Sequence, residues 1–108
     1  MTLTELTDRL LEDLEAAFRE ALPQIRNAVL ESGREFAHDM RHDLLRWQEL
    51  AATGAISKED LRWLVQSRAD LAKLTALRDA GLARVRIDEL RGRIARTIAG
   101  TVIDTVGL

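Results

Sequence analysis

The sequence predicts an all-α protein. Three observations carry this: apolar residues recur every three or four positions, aromatic residues are scarce, and turn-forming residues cluster at a few points. Only Phe18, Phe36, Trp47 and Trp63 are aromatic, whereas strands favour aromatic and β-branched side chains. A chain of 108 residues reads as one helical domain, 1–108, long enough to bury a core without staples. With 46% apolar and 31% charged residues, it is not a disordered tail.

The first element is a helix whose apolar face carries Leu3, Leu6, Leu10, Leu14, Ala17, Phe18 and Ala21. Thr4, with Thr7 and Asp8 after it, offers a cap near its start. The same face continues after Pro23 through Ile25, Ala28, Val29, Ser32, Phe36, Met40, Leu44, Trp47 and Ala51. A proline inside a helix costs about 3 kcal/mol. As the first residue of a new helix it would leave Leu22 as the cap, and leucine has no acceptor to offer. The apolar stripe also keeps its phase across the proline. The spacing therefore predicts one long helix, kinked between Arg19 and Pro23.

Thr53-Gly54-Ala55-Ile56 ends this arm, with Gly54 suited to the left-handed position after a helix. Ser57 then caps a second arm and Asp60 sits at the capping-box position. Leu61, Leu64, Val65, Arg68, Leu71, Ala72 and Thr75 form its main stripe. Trp63, Ser67, Asp70, Leu74 and Leu77 form a partial stripe on the other side. Gly81 interrupts the arm, as a mild break or as a turn. Ala83, Ile87, Leu90, Ile94, Ile98, Thr101, Val102 and Thr105 carry the pattern onward.

The predicted architecture is an antiparallel helical hairpin with two interrupted arms, about 2–52 and 58–107, kinked near Pro23 and Gly81. Each arm would reach about 75 Å if fully helical. Charge favours the pairing. Residues 1–22 carry Glu5, Asp8, Glu12, Asp13, Glu15 and Glu20 against two arginines. Residues 82–108 carry Arg84, Arg86, Arg91, Arg93 and Arg96 against three acids. A two-helix hairpin has little interior, so Trp63, Leu74, Leu77, Ile103 and Val106 would stand in water. Exposed apolar patches of this kind mark an interface. Self-association, as a dimer or higher oligomer, is the expected way to cover them. The alternative is a compact monomeric four-helix bundle, folded at Pro23 and Gly81.

The expected function is that of a non-enzymatic helical assembly or adaptor protein, binding itself or another protein. A helical regulator of a larger partner is an alternative. A metal-binding bundle is another, because Glu35 and His38 have the Glu-x-x-His spacing of carboxylate-bridged metal sites and His42 lies one turn further. On a helical wheel these three face away from the apolar stripe, as solvated polar residues do. Asp43 falls within the apolar arc and invites a partner such as Arg68.

No cysteine is present, which removes thiolate catalysis and cysteine metal sites and suits a reducing cytoplasm. No serine–histidine–acid set and no glycine-rich phosphate loop is visible, so no cofactor is expected. The net charge of −2 gives no general attraction to nucleic acid. The arginines at 84–96 lack aromatic neighbours for base stacking. They read instead as partners for the acidic first arm. No apolar run approaches the ~20 residues of a membrane span, and no secretory leader is expected at the amphipathic, acidic N-terminus.

Overall fold

The computed structural model describes residues 2–71 and 74–106. Among them all regular structure is helical: α1 (Leu3–Ala17), α2 (Pro23–Asp39), α3 (Arg41–Ala52), α4 (Lys58–Leu71), α5 (Thr75–Asp79) and α6 (Arg84–Val106). The chain measures 42 × 22 × 20 Å, with a radius of gyration of 13.4 Å. A compact chain of this length should have a radius of about 13 Å. Hairpin arms that are helical throughout, each about 75 Å, do not fit these dimensions.

The main correction lies at Pro23. Helix α1 ends at Ala17, the chain turns through 18–22, and Pro23 opens α2 as its first residue. Leu22 is the uncapped residue before it, with no side-chain hydrogen bond. The missing cap forgoes about 1 kcal/mol. Proline has no N–H to satisfy there, so the cost of an interior proline, about 3 kcal/mol, is avoided. The reversal also lets both stripes close on each other. Leu6, Leu10, Leu14 and Phe18 are all at most 1% exposed, and each such burial contributes roughly 1.5–3 kcal/mol. Burial outweighs the cap. Gly33 marks the close approach of the two helices: a Cβ there would overlap Cδ1 of Leu14. The turn needs no glycine, since Ala21 N–H donates to Phe18 O at 3.0 Å and Phe18 keeps a φ of −112°.

Helix α1 is capped by Thr2 with Glu5, not by Thr4. The Thr2 hydroxyl accepts the Glu5 N–H at 3.2 Å, and Glu5 reaches back to the Thr2 N–H. Helices α2 and α3 meet at Met40 with little interruption. Met40 N–H still donates to Phe36 O, and Leu44 N–H to Met40 O.

Helix α3 ends as its sequence implies. Gly54 has φ +78°, Ala55 N–H donates to Leu50 O at 2.8 Å, and Gly54 N–H donates to Ala51 O at 3.1 Å. This paired pattern terminates a helix at a left-handed residue. Ser57 and Asp60 then form the capping box of α4, each backbone N–H donating to the other's side chain at 3.1 Å.

The second arm is also broken. Leu74 takes φ +46°, α5 runs for five residues, and Gly81 turns the chain with φ +73°. Gly81 thus ends a helix and is not carried through one.

Contacts across the molecule describe the result. Glu35 meets Thr75, Asp43 meets Arg68, Ala17 meets Arg93 and Asp13 meets Thr101. Gln48 likewise donates to the Thr105 hydroxyl at 3.3 Å. Other contacts join parts of the same arm: Leu14 with Gly33, and Ala69 with Arg91. Helix α6 packs against α1, α2, α3 and α4, so it is covered on several sides. One core cluster draws from all six helices, including Leu10, Phe36, Trp47, Val65, Leu77 and Ile98.

Candidate functional site

The residues expected to form an interface separate in the structure. Leu74, Leu77 and Ile103 are buried, none above 3% exposed, inside the protein's own core. Leu74 and Leu77 are buried because α5 packs on α2. Ile103 lies off the main stripe of α6, but that helix is enclosed on several sides, so a second face is buried too. The side chain of Val106 lies outside the described residues.

Trp63 alone of the described set stays on the surface, 67% exposed. Helix α4 turns Leu61, Val65 and Ala69 inward. These are spaced by four residues, and Trp63 falls on the opposite side at 100° per residue. Among the described residues Leu22, Leu45 and Val85 are the other large apolar side chains left exposed.

Glu35, His38 and His42 do not converge. Both carboxylate oxygens of Glu35 are engaged by Thr75: one accepts its N–H and the other its hydroxyl, each at 3.0 Å. His38 and His42 are exposed. The break at Met40 falls between them, so they do not share one regular helix. Among the described residues no group of three or more histidines, cysteines or carboxylates is arranged to hold a metal ion.

Asp43 lies where the wheel puts it, half-buried beside α4. Its Oδ2 is 3.9 Å from Arg68 Nε, and its Oδ1 accepts from Arg46 at 3.1 Å. Arg68 is 46% exposed, so the cross-helix pair contributes at most about 1 kcal/mol.

A cleft of about 530 Å³ lies where the α1–α2 turn faces α6. Arg19, Arg86, Arg93, Glu20 and Phe18 line it. Two of its arginines are already engaged. Arg93 lies 4.3 Å above the Phe18 ring and donates to Ala17 O at 3.0 Å. Helix α1 has no basic residue in its own last turn, so Arg93 caps its carbonyl end from another helix. Arg86 pairs with Glu89 at 3.1 Å. The acidic first helix and the basic last helix are therefore neighbours. Among the described residues no ion pair joins them. Their polar contacts are Arg93 to a carbonyl and the Thr101 hydroxyl to Asp13 Oδ2, at 2.5 Å. The stacking of Arg93 on Phe18 had no distinct trace in the sequence, because it depends on the turn at 18–22.

No described helix is long and apolar enough to cross a membrane. Comparison with protein-family models, with curated proteins and with solved structures finds no match. The class that fold and surface define is a helical protein with six helices and one core among the described residues, and with Trp63 exposed.

Proposed function

We propose that this protein is a non-enzymatic helical adaptor that acts through protein–protein contacts, contacts between its own copies included, and that Trp63 lies at the contact. One observation supports this reading above the rest. Phe18, Phe36 and Trp47 are all at most 2% exposed, while Trp63 is 67% exposed. A tryptophan left in water forgoes a large burial, since an aromatic side chain can bury 150–250 Å². Tryptophan is also enriched among the few residues that dominate binding energy at interfaces.

The reason for assembly differs from that read in the sequence. A thin hairpin would need a second copy to cover its stripes. The folded chain has covered Leu74, Leu77 and Ile103 itself. Association would therefore use a surface anchor and would not complete the core. Trp63 is one anchor within a larger area, since stable interfaces bury about 1,200–2,000 Å² in total.

Native mass determination at micromolar concentration tests this, on the wild-type chain and on Trp63→Asp. The expected result is a dimer or higher species that Trp63→Asp returns to monomer. A wild-type monomer rejects self-association. A variant whose mass distribution matches wild type rejects Trp63 as the anchor.

A further inference from the structure

Helix α5 has five residues, too few to be stable alone, because the first helical turn is costly to nucleate. It also lacks a cap of its own: Leu74, the residue before it, makes no side-chain hydrogen bond. Glu35 supplies the cap from α2, forty positions earlier in the chain. One carboxylate oxygen holds the Thr75 N–H and the other the Thr75 hydroxyl. Helix α5 packs chiefly on α2, and Leu74 and Leu77 are buried there.

The joints at both ends share a feature. Leu74 has φ +46° and Gly81 has φ +73°. Leu74 is the one residue other than glycine with a positive φ among the described residues. A left-handed conformation disfavours a leucine by roughly 5- to 30-fold. That strain persists because burial and the Glu35 contact hold the segment down. At Gly81 a Cβ would meet nothing within 4 Å, so no packed side chain obstructs rotation there.

We propose that α5 is a strap that opens as a unit about the joints at Leu74 and Gly81, with Glu35 as its latch. Opening relieves the strain at Leu74 and frees Thr75 from Glu35. It withdraws Leu74 and Leu77 from the core and uncovers the face of α2 beneath α5. The apolar surface that the closed chain conceals is then presented without unfolding the rest. The device does not depend on Trp63 or on the adaptor reading.

Native-state hydrogen exchange on the full chain tests it, residue by residue, at low denaturant. The amides to follow are those of Thr75, which donates to Glu35, of Leu77 and Arg78, which donate to Leu74 O, and of Ala80, which donates to Ala76 O and Leu77 O at the end of α5. The references are the amides of Leu10, Ile94 and Ile98. Wild-type α5 amides should exchange roughly tenfold or more faster than the references, with little denaturant dependence, as sub-global openings do. Glu35→Gln leaves one contact without an acceptor and should accelerate the four α5 amides while α1 and α6 keep their rates. Gly81→Ala changes no packing and strains only the closed form. It should accelerate the same amides roughly 5- to 30-fold. Equal protection of α5 and the references in wild type would overturn the proposal. So would acceleration spread evenly over α1, α5 and α6 in Gly81→Ala.

Discussion

Asp60 shows how one backbone contact sets a titration. Its carboxyl is held below the ordinary value of 3.8, first by the Ser57 N–H and then by the Ser57 side chain. A carboxyl depressed on folding stabilises the fold above its unfolded value, and this stabilisation is lost as the pH falls through the folded value. The cap of α4 should therefore weaken below pH 3.8 and hold above it. Removing the hydroxyl with Ser57→Ala should bring the Asp60 carboxyl back toward 3.8, a change that NMR titration of Asp60 reads directly. Ser32 offers a second test at this scale. It is fully buried, and its hydroxyl has no hydrogen-bond partner among the described residues. An unpaired buried hydroxyl costs about 1–3 kcal/mol. Ser32→Ala should accordingly raise stability in urea titration, by about 1 kcal/mol or more.

Glycines separate the packing of one helix from that of another. A side chain at Gly33 in α2 would press on Leu14, itself fully buried. Overpacking costs about 1–3 kcal/mol, so Gly33→Val should lower the urea midpoint. Gly100 in α6 has open space around it, so Gly100→Ala should gain about 1 kcal/mol from helix propensity alone. Pro23 tests how the first element ends. At the start of α2 its fixed φ suits the helix and lowers the entropy of the unfolded chain, so Pro23→Ala should cost about 0.4–1 kcal/mol. A proline inside a continuous helix would give the opposite sign, a gain near 3 kcal/mol on replacement. Chemical denaturation of this one variant distinguishes the two geometries.

For the whole molecule, the decisive quantity is compactness. The monomer, obtained as Trp63→Asp, should scatter in solution with a radius of gyration close to the 13.4 Å of the Cα trace of one chain. Arms of about 75 Å would give a far larger value. The same closure explains why Trp63 is the promising contact and Leu77 is not. Replacing Leu77 with alanine removes a fully buried side chain and should cost about 2–5 kcal/mol. Trp63 sits in water, so its replacement should move the mass distribution far more than the stability.

Much of the core was legible in the chain. The stripe Leu6, Leu10, Leu14, Phe18, Val29, Phe36, Leu44, Trp47 was read from spacing, and all of these residues are buried. The end of α3 at Gly54 and the Ser57–Asp60 cap were equally plain, because each depends on a few neighbouring residues. The stripe's phase could not reveal where the chain reverses. A kinked helix and a tight turn at 18–22 present the same residues to a core, and this turn uses no glycine. Leu74, Leu77 and Ile103 were misplaced for a related reason: whether a second apolar face meets water depends on how many helices surround it. Local periodicity sets which residues seek a core, through interactions within a turn or two of helix. Only the tertiary structure decides what covers them, because burial is summed over all the helices that meet there.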